Sequence, residues 1–151
     1  MVTIGIRAKP TAVTFVVIDG EKILNIEDIV VPRAFETPDA LKYVRNNLLD
    51  LLREYAVEGA GVRITESNAR TPNIDRIQIE GVIQEAFASS ALKSYYVGQI
   101  SSISARLGMN RTDFKKIVDG ENKLSIDGWE NLTKEAREAV LCALGARSVL
   151  A

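Results

Sequence analysis

The sequence predicts an α/β fold in which a mixed five-stranded sheet is flanked by helices. Two observations indicate this fold: three apolar, β-branched segments follow one another at the start, and the later apolar segments alternate between helical and strand spacing. The resulting order is βββαβαβα with a helical insert before the last helix, which is typical of a sheet covered by helices. We expect a single domain over residues 1–151, since domains commonly run about 100 to 150 residues.

The first three strands are predicted over residues 3–8, 12–19 and 22–31. The second of these is β-branched or aromatic almost throughout, as suits a strand that is buried on both faces. Asp19-Gly20 is a strong hairpin signal, because both residue types accept the positive φ angles of tight turns. The three strands are therefore expected to form an antiparallel meander, with the later strands parallel.

A helix is predicted next, with Thr37 as its N-cap, Pro38 in its first turn and Asp39 near the positive end of its dipole. The segment Gly59-Ala60-Gly61 is expected to end it, and residues 62–66 (VRITE) to form the fourth strand with Glu66 at its C-terminal end. The side chains predicted to cover one sheet face are those at helical spacing, Leu41, Val44, Leu48, Leu51, Leu52 and Tyr55.

The rest of the chain is predicted to hold four helices and one short strand. A polar loop over 67–73 leads into the second helix, and residues 94–97 form the fifth strand. Two brief helices over 101–107 and 112–118 and a last helix over 133–146 follow. The predicted core faces are Ile79, Val82, Ile83, Ala86 and Phe87 in the second helix, and Ala136, Val140, Ala143 and Leu144 in the last.

The composition excludes several classes of protein. No apolar run approaches the roughly 20 residues of a membrane helix, and Arg7, Lys9 and Pro10 interrupt the N-terminus, so we expect a cytoplasmic protein. The absence of histidine removes the usual zinc sets and the hydrolases that rely on a histidine base. The single cysteine, Cys142, is expected to be a core residue. A carboxylate site for Mg²⁺ or Mn²⁺ is then the natural enzymatic hypothesis.

Several short motifs resemble the ribonuclease H-like superfamily, and within it the RuvC-type Holliday-junction resolvases and their small relatives. They are GIRAKP ending the first strand, VRITE ending the fourth, and the closing helix KEAREAVLCAL. In that family two metal ions are held by an acid ending the first strand, a glutamate ending the fourth and two acids three residues apart on the last helix. The resemblance places Arg7, Glu66, Glu135 and Glu138 at these positions. It also implies a homodimer.

Arg7 departs from the family pattern, because a guanidinium has only donors and stays protonated in proteins. A pair of like unit charges at about 4 Å repels by on the order of 4 kcal/mol at an effective dielectric of about 20. We therefore predict a degenerate site without a metal cofactor, in which Arg7 neutralises Glu66 and the two helix acids. The expected role is non-catalytic binding of nucleic acid or of a protein partner.

Two other functions fit the residues. The first is a Mg²⁺-dependent endonuclease, acting on DNA junctions or other nucleic acid, in which Glu66, Glu135 and Glu138 suffice for the metal. The second is a helix-turn-helix DNA binder over residues 103–118. Its DNA-facing side chains would be Arg111, Thr112, Lys115 and Lys116. The net charge of −1 argues against a strongly basic nucleic-acid binder, although a local basic face is compatible with it.

These residues also have structural explanations, in which Glu66 is a solvated residue at a strand end and Arg7 is a surface residue in a turn. Glu135 and Glu138 are favourable near a helix N-terminus simply through the dipole. Pairs of short helices like the one over 103–118 are common in proteins that bind no DNA. Glu80 is expected to be a surface residue of the second helix.

Overall fold

The computed structural model describes residues 1–150, with side chains described as far as Arg147. A short 3-10 helix, Trp129–Asn131, precedes the last α-helix. The strands are β1 (Val2–Ala8), β2 (Ala12–Asp19), β3 (Lys22–Val30), β4 (Gly59–Arg63) and β5 (Ser94–Gly98). The helices are α1 (Thr37–Glu54), α2 (Ile74–Ala88), α3 (Ile100–Arg106), α4 (Arg111–Val118) and α5 (Lys134–Leu150).

The strands form a five-stranded sheet in the order β3-β2-β1-β4-β5. β1, β2 and β3 pair antiparallel, whereas β1 with β4 and β4 with β5 pair parallel. The predicted mixed sheet is therefore confirmed. Because β1, β4 and β5 run in the same direction, their C-terminal ends meet at one edge, where Arg7 of β1 lies in register beside Arg63 of β4.

Helices cover both faces of the sheet and create two apolar clusters. α1 and α2 pack over the face that carries Ile4, Ile6 and Val62. α5 lies across the opposite face, and α3 and α4 pack against α5 around Phe114 and Trp129. Within residues 1–150, no helix combines the length and apolar character that a bilayer-spanning segment needs.

α5 lies directly on the backbone of β1 and β4 because glycines face it. A Cβ atom on Gly5 would lie 1.8 Å from the carbonyl oxygen of Ala139, and one on Gly61 would lie 2.8 Å from that of Cys142. The hydroxyl of Thr3 donates to the carbonyl oxygen of Ala143 at 3.0 Å. This close approach brings the side chains of the first turns of α5 over the ends of β1 and β4.

Several predicted boundaries were wrong. Gly59-Ala60-Gly61 begins β4 instead of ending α1, because the close approach of α5 to the sheet requires small residues there. Glu36 occupies the N-cap position of α1, without a side-chain hydrogen bond, since Thr37 is already helical. Glu66 lies in the loop beyond the end of β4, and α5 extends to Leu150.

Candidate functional site at the sheet edge

A buried cluster of arginines and glutamates occupies the C-terminal edge of the sheet. Arg7 and Arg63, which lie side by side in register, are only 6% and 8% exposed. One oxygen of Glu138, Oε2, lies 3.3 Å from Nε of Arg7 and 3.2 Å from Nε of Arg63. A single carboxylate oxygen from α5 is therefore held between two guanidinium groups from adjacent strands.

Glu80 of α2 completes the cluster from the other side of the sheet. Its two oxygens accept the backbone N–H of Thr65 at 3.1 and 3.0 Å and the hydroxyl of Thr65 at 2.9 Å. Oε2 of Glu80 also lies 3.5 Å from a terminal nitrogen of Arg7. The prediction that Glu80 is a surface residue was wrong, because it shares the inward face of α2 with Ile79 and Ile83.

Glu66 and Glu135 lie outside this set of ion pairs. Oε2 of Glu66 accepts the backbone N–H of Ile100 at 3.4 Å, and Oε1 lies 3.8 Å from Arg111. Glu66 thus connects the loop after β4 to the starts of α3 and α4. Glu135 is partly buried and forms no ion pair with the side chains described. The predicted neutralisation by Arg7 therefore applies to Glu138, and Arg7 contacts neither Glu66 nor Glu135.

The arrangement of these acids does not fit a two-metal site. Within the described part of the chain, no three acidic or cysteine side chains come close enough together to hold a metal ion. A hard cation needs carboxylate oxygens with free lone pairs directed at it. Oε2 of Glu138 faces two guanidiniums instead, and Glu66 faces an amide and Arg111.

Burial and the arginines act on Glu138 in opposite directions. Burial raises the pKa of Glu138, while the charges of Arg7 and Arg63 lower it. Burial likewise lowers the pKa of Arg7, and Glu138 counteracts that change. An arginine nevertheless stays protonated in a protein. The two guanidiniums therefore offset part of the cost of placing an ionised carboxylate at this buried position, and the pKa of Glu138 stays above its ordinary value.

We expect Arg7→Met to make the stability of the protein more sensitive to pH. Without Arg7, burial and the charge of Glu135 raise the pKa of Glu138 further. A carboxyl group whose pKa is higher in the folded state contributes stability that is complete below its unfolded value of 4.5 and is lost as pH rises through the folded value. The free energy of unfolding of Arg7→Met should therefore fall more with rising pH than that of the wild type.

Urea titrations at several pH values between about 4 and 8 measure this difference. Arg53→Met is the matched control, because it removes an exposed arginine that is paired with Asp50 on α1. Its pH profile should follow that of the wild type. Identical profiles for Arg7→Met and the wild type would show that Arg7 does not influence the ionisation of Glu138.

The basic residues predicted to face DNA lie together on the surface of α4. Arg111, Thr112, Lys115 and Lys116 are all exposed. On the opposite side of the same helix Phe114, Ile117 and Val118 are buried. The predicted helix pair over 103–118 is formed by α3 and α4, which are joined by a turn through Gly108 with φ of 68°. Whether this element contacts DNA stays a prediction.

Sequence reasoning missed two members of the cluster, Arg63 and Glu80. Arg63 could have been found as a charged residue within a strand that is otherwise apolar and glycine-rich. The signal for Glu80 was its position between Ile79 and Ile83, on the apolar face of α2. Their partners depend on how α5 and α2 meet the sheet edge, and the sequence pattern does not contain that information.

Comparisons with known proteins identify the fold. No protein-family model matches the chain, and no curated protein matches it. The chain is similar to the solved structure of Thermus thermophilus RuvC, with a TM-score of 0.74 and 15% sequence identity over 99% of this chain and 95% of that one. It is also similar to Thermus thermophilus RuvC in complex with a Holliday junction substrate, with a TM-score of 0.72 and the same identity and coverage. The protein therefore has the RuvC type of ribonuclease H-like fold.

Proposed function

We propose that the protein binds nucleic acid through a RuvC-like domain whose metal site has been replaced by internal ion pairs, so that it does not cut its ligand. The observation that carries this proposal is the position of Glu138 Oε2, between Arg7 and Arg63 at 3.3 and 3.2 Å. In this arrangement the fixed guanidiniums supply the positive charge that divalent cations would otherwise supply.

Electrostatics support the absence of metal-dependent chemistry in this proposal. A cation at the sheet edge would have to displace two buried guanidiniums from Glu138 or bind beside them. Each guanidinium at about 4 Å opposes such a cation by on the order of 4 kcal/mol for each unit of the cation's charge, at an effective dielectric of about 20. Glu66 and Glu135 would be left as its ligands, and Glu66 is already engaged by Ile100 and Arg111.

Two features support nucleic acid as the ligand. The exposed basic residues of α4 offer a positive face to phosphates, and Arg111 at its start lies next to Glu66 of the loop after β4. That loop is polar and exposed over residues 67–73 and carries Arg70. The solved RuvC with this fold is in complex with a Holliday junction substrate, so a four-way DNA junction is the first probe to use.

The test is a combined cleavage and binding assay with four-way junction, duplex and single-stranded DNA and an RNA–DNA hybrid. The wild type should bind at least one of these probes in EDTA, and should leave all of them intact in Mg²⁺ and in Mn²⁺. Metal-dependent cutting that disappears in Glu66→Gln would overturn the proposal in favour of the endonuclease. Failure to bind any probe would also overturn it and direct the search to protein partners.

Because Glu138 pairs with Arg63 as well as with Arg7, a variant that binds metal requires substitutions at both arginines. Arg7→Asp alone leaves Glu138 paired with Arg63, whose Nε lies 3.2 Å away. We therefore expect Arg7→Asp to remain inactive, and expect metal binding to appear first in the double variant Arg7→Asp/Arg63→Asn. Mn²⁺ titration by calorimetry compares metal binding by the single and the double variant.

The homodimer also stays a prediction, which sedimentation velocity can test.

A further inference from the structure

Arg76, in the first turn of α2, is a third guanidinium at the sheet edge. It lies close enough to Arg7 and Glu138 to act on the pKa of both. Arg7 and Arg63 are engaged by carboxylates, but no ion pair joins Arg76 to a carboxylate among the side chains described. Its Nε is buried and has no hydrogen-bond partner. A buried donor without an acceptor carries a desolvation cost, which a ligand with an acceptor oxygen would remove.

The ion-paired groups at this edge, taken together with Arg76, carry an excess of positive charge. The guanidiniums are three, those of Arg7, Arg63 and Arg76, whereas the paired carboxylates are two, Glu80 and Glu138, and both pair with Arg7 or Arg63. Arg76 also lies at the positive end of α2, where Asn73 caps the helix by accepting the backbone N–H of Arg76. The residue is only partly buried, so a ligand can reach it from solvent.

Two further carboxylates influence the same edge. Asp75 precedes Arg76 and is exposed, where water screens its charge. Glu135 is partly buried one turn before Glu138, and its charge raises the pKa of Glu138. Glu135 therefore opposes an anion at this edge, while it would assist a metal ion. Removal of the Glu135 carboxylate should therefore strengthen the binding of an anion and weaken the binding of a metal ion.

We infer that Arg76 binds one phosphodiester group of a nucleic-acid backbone directly, and that no metal ion takes part. This inference rests on the proposed nucleic-acid binding and assigns a contact within it. A planar guanidinium suits the purpose, since it can donate two parallel hydrogen bonds to a phosphate. Glu80 and Glu138 lie within ion-pair distance of Arg7 or Arg63, which leaves Arg76 as the member of the three without a carboxylate partner among the side chains described.

The salt dependence of binding tests this contact. Affinity of wild type and Arg76→Gln for a fluorescent four-way DNA junction is measured in EDTA over a series of salt concentrations. Each phosphate contact contributes about 0.9 to the slope of log affinity against log salt. Arg76→Gln should lower the magnitude of that slope by about one and weaken binding by about tenfold. Arg53→Gln, an exposed arginine on α1 that pairs with Asp50, is the control and should leave the slope unchanged.

Glu135→Gln provides an independent test with a predicted sign. Removal of this carboxylate should tighten junction binding in EDTA, because it removes a repulsion from the phosphate. Unchanged or weaker binding by Glu135→Gln would overturn the inference, and so would a salt slope that Arg76→Gln leaves as in the wild type. Loss of wild-type binding in EDTA, with recovery in Mg²⁺, would overturn the metal-free contact.

These outcomes separate the inference from the proposed function. If the wild type binds the junction and Arg76→Gln keeps its slope, the proposed function stands and this contact is wrong. If the wild type binds none of the nucleic-acid probes, both fail together. Thermal unfolding of Arg76→Gln checks that the variant is folded. If it is not, the sign of the Glu135→Gln effect decides the inference.

Discussion

Gly5→Ala is expected to destabilise the protein by about 3 kcal/mol or more. The new Cβ would lie 1.8 Å from the carbonyl oxygen of Ala139 and 2.4 Å from the backbone nitrogen of Ala143, so the helix itself would have to move. No side chain can rotate away to relieve this contact, because both atoms belong to the backbone of α5. Displacement of α5 would also draw Glu138 away from Arg7 and Arg63. The free energy of unfolding from urea titration measures the effect.

Gly81→Ala is the matched control for this substitution. Gly81 lies inside α2, and a Cβ on it would meet nothing within 4 Å. The same change of residue should therefore stabilise the protein, by up to about 1 kcal/mol, since alanine is the better helix former. A Gly5→Ala protein as stable as the wild type would show that α5 does not lie on β1 as described here.

Trp129→Ala is expected to cost about 3 to 5 kcal/mol. The indole is fully buried in the cluster where α3 and α4 pack against α5, and its Nε1 donates to the carbonyl oxygen of Ile117 at 3.0 Å. Its loss would leave a cavity beneath α4 and remove one hydrogen bond to the carbonyl of Ile117, which also accepts the backbone N–H of Gly120. The basic residues on the outer side of α4 should then lose their fixed position, so junction binding should weaken as well.

Trp129→Phe separates the packing of the indole in the cluster from its hydrogen bond to Ile117. It keeps an aromatic ring in the cluster but removes the donor to Ile117, which should cost about 1 kcal/mol because the carbonyl still accepts the backbone N–H of Gly120. Trp129 is the single tryptophan of the chain, so the variants must be followed by circular dichroism in urea. If Trp129→Ala unfolds at the wild-type urea concentration, the packing of α4 on α5 does not depend on this residue.

Local patterns predicted most of the fold because they record which face of each element avoids water. The Asp19-Gly20 turn and the apolar strands before and after it predicted the meander, and helical spacing predicted the buried faces of α1, α2 and α5. The glycines of β4 were misread, since Gly59-Ala60-Gly61 resembles the end of a helix. Their small size serves a contact with α5, which is distant in sequence.

The candidate site was predicted in part. The resemblance singled out Arg7 and Glu138, which the structure brings into contact, together with Glu66 and Glu135, which lie outside the ion pairs. Arg63 and Glu80 were overlooked although both contact members of the cluster. A charged residue on an apolar element signals a buried partner, but the sequence does not say which residue the partner is.

The sequence by itself determined the order of the elements, the faces they bury and the presence of an arginine at the end of the first strand, where the family resemblance implies an acid. Only the tertiary structure decided what that arginine contacts. The parallel pairing of β1 with β4 places Arg63 beside Arg7, and the close approach of α5 allowed by Gly5 places Glu138 between them. Patterns along the chain reflect contact with water, whereas ion pairs between distant segments depend on how packed elements meet.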